Sequence, residues 1–94
     1  MKLKDFELLE TCTPKGVQVI LDFGQYELSI VQNEVSYGNK QGLYEIAVFK
    51  DDEQCELPGI TNPGDTVKGF LTEADVDAII YKLYTVTGTK AVQK

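Results

Sequence analysis

The sequence predicts an α+β fold: a short N-terminal helix, a three- to four-stranded antiparallel meander, and a C-terminal helix packed across one sheet face. Three observations carry this. Between Val17 and Phe49, three runs alternate with period two and are separated by glycine-containing turns. Between Thr72 and Gly88 the apolar residues recur at helical spacing, with a cap at each end. The chain has 94 residues, 43% of them hydrophobic and 26% charged, which suits one modest core. Residues 1–94 are read as a single domain with an ordered core over residues 2–88 and a frayed tail, 89–94.

The first element rests on Leu3, Phe6 and Leu9, which recur at steps of three within Lys2 to Glu10 and predict a short helix. Thr13-Pro14 ends it, because a residue before proline is pushed out of the α region. Lys15-Gly16 completes that turn. In the first strand Val17, Val19, Leu21 and Phe23 share one face, with Gln18, Ile20 and Asp22 on the other. Gly24-Gln25 is the hairpin turn. The second strand places Tyr26, Leu28 and Ile30 opposite Glu27, Ser29 and Val31. A polar loop, Tyr37 to Gly42, leads to the third strand, where Tyr44, Ile46 and Val48 oppose Leu43, Glu45, Ala47 and Phe49. Asp51 to Gln54 is an acidic turn, Cys55 to Leu57 a candidate fourth strand, and Pro58-Gly59 and Pro63-Gly64-Asp65 are turn chemistry. One face of this meander is uniformly apolar and needs a cover. The other mixes Gln18, Asp22, Glu27 and Glu45 with Ile20, Val31 and Phe49, so partial cover by the N-terminal helix or by a second chain is expected.

The cover is the C-terminal helix. Thr72 is its N-cap, and Asp75 three residues on makes a capping box with aspartate in the usual glutamate position. Glu73, Asp75 and Asp77 occupy the first turns, where the helix dipole favours negative charge. Gly88 is the left-handed residue that ends it. At 100° per residue, Val76, Ile79, Ile80, Leu83 and Thr87 fall within an arc of about 100° and form the core face. The opposite face holds Ala74, Ala78, Tyr81 and Thr85. Small residues one turn apart followed by tyrosine allow another element to approach and offer it an anchor, so this strip is a candidate interaction surface.

Composition excludes more chemistry than it supplies. The chain has no histidine, which removes the Ser-His and Cys-His pairs, the commonest general base and the commonest metal ligand. There is no phosphate-binding glycine loop, and the neighbouring carboxylates Asp51-Asp52 lack the spacing of a calcium loop. No enzymatic activity, cofactor or metal is expected. Cys12 and Cys55 are expected to be reduced thiols. The first ten residues have no apolar core of the kind a secretion signal needs, and no apolar run is long enough to span a membrane, so the expectation is a cytoplasmic protein without a membrane partner. A net charge of −6 opposes direct nucleic-acid binding. It leaves a protein partner, including a second copy in a homodimer. A rival reading takes Asp51, Asp52, Glu53, Glu56, Glu73, Asp75 and Asp77 as one acidic surface that imitates nucleic acid and blocks a host enzyme.

Two resemblances bear on these readings. The order helix–strand–strand–strand–helix resembles the layout of double-stranded RNA-binding domains. Those domains place basic side chains at the start of the last helix, where Glu73, Asp75 and Asp77 stand here. The stretch YEIAVF followed by VKGFLTEADVDAII resembles small, mostly uncharacterised proteins encoded by phages and prophages of Gram-positive bacteria, over roughly residues 43–88. That resemblance implies a mobile-element origin and a host-cell location, and brings no activity or functional residues with it.

Overall fold

The computed structural model describes residues 1–36 and 38–94, so Tyr37, the first residue of the expected polar loop, lies outside the described residues. The strands are β1 (Leu9–Cys12), β2 (Lys15–Asp22), β3 (Glu27–Asn33), β4 (Tyr44–Lys50), β5 (Glu53–Gln54), β6 (Val67–Leu71) and β7 (Val92–Gln93), and the helix is α1 (Glu73–Thr87). Together they make an α+β fold. The order across the sheet is β1-β2-β3-β4-β5, with β6 also pairing with β4 and β7 with β2, and each of these pairings is antiparallel.

The three long strands form where the alternation predicts them. Val19, Leu21 and Phe23 of the first run, Leu28 and Ile30 of the second, and Ile46 and Val48 of the third are all buried on one side. Against them α1 lays Val76, Ile79, Ile80 and Leu83, all buried. Burying an aliphatic side chain of this size contributes about 1.5–3 kcal/mol before entropy is charged against it. This interface is therefore the main source of stability.

The ends of α1 are those read from the sequence. Asp75 N–H donates to Thr72 Oγ1 at 3.1 Å, and Thr72 N–H donates to Asp75 Oδ2 at 3.0 Å. Gly88, at φ 67°, closes the helix with its N–H on the Tyr84 carbonyl. The hydrogen bonds from Thr72, backbone first and hydroxyl second, hold the Asp75 carboxyl below the ordinary aspartate range. A depressed carboxyl stabilises the fold above its unfolded pKa, and that contribution disappears as pH falls through the folded value. Thr72→Ala is expected to cost about 1 kcal/mol at neutral pH. Its difference from wild type should shrink in acid, as protonation of Asp75 weakens the same box in both proteins. Urea unfolding at neutral and acid pH checks this: a constant difference would assign the whole effect to the Asp75 N–H bond on Thr72 Oγ1, and no difference at either pH would remove the cap from the account.

Four elements differ from expectation. The N-terminal helix is only a 3-10 turn, Leu3–Asp5. Leu3 is buried, but Leu9 has left that face and entered β1, opposite Gln18. A step of three is met as well by one tight turn followed by extended chain, and Thr13-Pro14 is the turn of the β1–β2 hairpin rather than a helix stop. The chain therefore lacks the helix–strand–strand–strand–helix order of double-stranded RNA-binding domains. The fourth strand is β5, just before the expected Cys55 to Leu57. Asp51 and Asp52 make its two-residue turn with φ of 53° and 66°, a left-handed pair that aspartate tolerates.

β6 was not expected at all. Its register with β4 shifts between Tyr44 and Ile46, so Gly69 and Phe70 together face Glu45. Phe70 takes φ 58° there, and this bulge destroys the alternation that would have marked a strand. Finally, the tail expected to fray is paired: Gln93 lies opposite Leu21 and Val92 opposite Asp22, and Lys94 N–H donates to the Ile20 carbonyl. The Gln93 side-chain amide bonds both backbone groups of Glu7, accepting from its N–H at 2.8 Å and donating to its carbonyl at 2.6 Å.

Candidate interaction surface

Three surfaces can be built from these elements. The first is the outer face of α1. Ala74, Ala78, Tyr81 and Thr85 are all exposed, Tyr81 at 61%. The strip is not one continuous feature. Tyr81 joins Met1, Tyr84 and Lys90 around one shallow depression, while Ala78 lines another with Ile60, Lys68 and Phe70. Thr85 turns its hydroxyl back to the Tyr81 carbonyl, as helical threonines commonly do.

The second is the acidic set. Asp51, Asp52 and Glu53 lie beyond the end of β4. Glu73 follows Leu71, which pairs with the first residue of β4. The two groups are thus separated by a seven-residue strand, roughly 20 Å. Several of the seven carboxylates also have local work. Asp75 caps α1, Asp77 Oδ1 accepts the Leu3 N–H at 2.7 Å, and Glu56 accepts the Gly64 N–H. Burial, and then the charge of Glu73, push the Tyr44 hydroxyl above its ordinary pKa.

The third is the sheet face turned away from α1. Directly opposed residues in antiparallel strands project to the same side, so the register defines its rows. One row is Leu9, Gln18, Val31 and Glu45. The next is Ile20, Ser29, Ala47 and Val67. The last is Val92, Asp22, Glu27, Phe49 and Gln54. Most of these side chains are only half-buried, and Leu9 and Val92 are 48% and 65% exposed. The N-terminal helix that might have covered this face does not exist, and Leu3 packs instead into the core beside α1.

The small residues Ser29 and Ala47 in the middle row leave a dip between the larger side chains of its neighbours. Gln18, Ile20, Glu27, Ser29, Phe49 and Asp52 line this depression, whose volume is about 210 Å³. Gln18 Nε2 donates to Ser29 Oγ at 3.0 Å across its floor. At the rim the Lys94 ammonium pairs with the Glu27 carboxylate. That hydrogen bond and charge, with Asp52 and Asp22 adding to them, hold Lys94 above the ordinary lysine range.

The mixed character of this face was visible in the alternation of the three long runs. Leu9, Val67, Val92 and Lys94 were not, because each reaches it through a segment read as helix, loop or frayed tail. Among the described residues no helix is long and apolar enough to cross a membrane. Comparisons with protein-family models, with curated proteins and with solved structures found no match.

Proposed function

We propose that this chain is a small acidic protein-interaction module without catalytic activity, working in the cytoplasm and binding a protein partner or a second copy of itself. One observation supports this most: among the described residues a sheet of seven strands carries α1 on one face only, while the other presents apolar side chains from six strands. Sheets with one wet face normally alternate to polar residues there. Here Leu9, Ile20, Val31, Phe49 and Val92 interrupt that pattern. The reading places binding on the sheet and leaves the α1 strip as helix surface. The separation of the two acidic groups along β4 favours an interaction module over a nucleic-acid mimic. The resemblance to small phage-encoded proteins fits such a module and adds no residue to it.

Phe49→Glu tests the proposal, with Tyr81→Glu as its counterpart on α1. Tyr81 is exposed, so Tyr81→Glu is expected to unfold within about 1 kcal/mol of wild type. Phe49 is half-buried opposite Glu27, so Phe49→Glu is expected to be less stable, and association is compared at a temperature where urea unfolding shows it folded. Light scattering on the three proteins reads self-association, and affinity capture from host lysate reads other partners. The expected result is association lost in Phe49→Glu and kept in Tyr81→Glu. Association insensitive to Phe49→Glu but lost in Tyr81→Glu would move the interface to the helix and sink this reading.

A further inference from the structure

We propose that the depression lined by Ile20, Ser29 and Phe49 on the open sheet face is a seat for an arginine side chain of a partner polypeptide. The inference rests on the proposed interaction through that face and adds the chemistry of what docks there.

The seat combines an aromatic side chain with carboxylates on one side. Phe49 and Ile20 supply apolar wall, Glu27 and Asp52 supply negative charge, and Gln18 and Ser29 supply polar groups on the floor. Asp22 extends the negative side in the same row as Glu27. A guanidinium is planar, stacks on aromatic faces and offers a fork of donors that a carboxylate accepts in pairs. It is also the more weakly hydrated of the two basic side chains, so it enters a half-apolar site with the smaller loss. Residues 1–94 contain nine basic residues, and every one is a lysine, so neither these residues nor a second copy of them supplies the fork.

Lys94 shows independently what this rim attracts. Its ammonium, arriving from beside β7, pairs with Glu27 at the edge of the depression. The pair is loosely held, with the Lys94 side chain 54% exposed. Exposed ion pairs of this kind contribute little to stability, so an incoming arginine displaces it easily. Lys94 thus acts as a weak occupant in cis that competes with the partner.

The test is a titration of the full ¹⁵N-labelled chain with N-acetyl-arginine amide, followed by amide chemical shifts. N-acetyl-citrulline amide, equal in shape but uncharged, and N-acetyl-lysine amide are titrated in parallel. Saturable shifts are expected at Ile20, Glu27, Ser29 and Phe49 with the arginine derivative and not with the citrulline one. Lys94→Gln should bind arginine roughly two- to fivefold more tightly, as the competing pair is removed. Glu27→Gln should bind it more weakly than wild type. Equal binding of the citrulline derivative, tighter binding of the lysine derivative, or no saturable shift in Lys94→Gln would each overturn the proposal. The two failures separate cleanly. If arginine does not bind but Phe49→Glu still abolishes association, the seat is wrong and the interaction face stands. If arginine binds but Phe49→Glu leaves association intact, the seat stands and the interface lies elsewhere.

Discussion

Replacing Ile80 by alanine is expected to cost about 2–5 kcal/mol, enough to bring the chain close to unfolding at room temperature. Ile80 is fully buried in the middle of α1, on the face shared with Val76 and Leu83 and against the sheet. Removing three carbons there loses their transfer from water and leaves a void that close-packed neighbours cannot fill. In urea the midpoint should fall while the slope is unchanged, because the same surface is still exposed on unfolding. A loss under about 1 kcal/mol would mean that α1 can settle onto the sheet without this side chain. Ala78→Gly, on the exposed side of the same helix, supplies the contrast: it should cost about 1 kcal/mol, from backbone propensity alone.

The second large effect is expected at Gly16. It lies near the start of β2, opposite Thr11 on one side and Asn33 on the other. A Cβ placed there would fall inside contact distance of the Gln32 carbonyl oxygen and the Asn33 Cα. Both obstacles are backbone, so neither can rotate away. Gly16→Ala must spread β2 from β3 at this end, and a cost of about 3 kcal/mol is expected, at the upper end of the range for overpacking. Gly59→Ala separates this mechanism from ordinary glycine strain. Gly59 has φ +87° with nothing within 4 Å of the added carbon, so only the left-handed conformation is penalised, by about 1–2 kcal/mol. Equal losses in the two variants, read from urea midpoints, would show that the close approach of β2 and β3 relaxes freely.

These two residues also mark what a sequence of this kind makes legible. Ile80 stands in a pattern that is complete between Thr72 and Gly88. The apolar arc, Thr72 and Asp75 at one end and Gly88 at the other all belong to α1 or its caps, so its bounds and its buried face could be read directly. The long strands were legible for the same reason: Val19, Leu21 and Phe23, or Tyr44, Ile46 and Val48, announce a period on their own. Gly16 is different, because its necessity comes from a neighbouring strand and not from its own segment. The same holds for β5, β6 and β7. Two to five residues cannot display a period, and the Gly69-Phe70 bulge breaks the one that β6 might have shown. Such strands exist because a long strand offers them an edge. The open face follows the same division. Ile20, Val31 and Phe49 could be assigned to it from alternation, whereas Leu9, Val67, Val92 and Lys94 arrive there through pairing that no local signal encodes.

The Gln93 amide on Glu7 has a consequence for how the chain is assembled. It ties together positions 86 apart in sequence, and closing a flexible loop of that length costs on the order of 4 kcal/mol in chain entropy. Two hydrogen bonds and a two-residue strand cannot meet that cost alone. The closure becomes favourable only after β1, β2 and α1 have already brought Glu7 and Ala91 near one another. The contact between these two segments is therefore expected to open at lower cost than the core strands, which faster amide exchange at Gln93 than at Leu21 would show. Because Lys94 follows directly on that segment, the pairing of β7 with β2 is also what brings the ammonium to Glu27 on the open face.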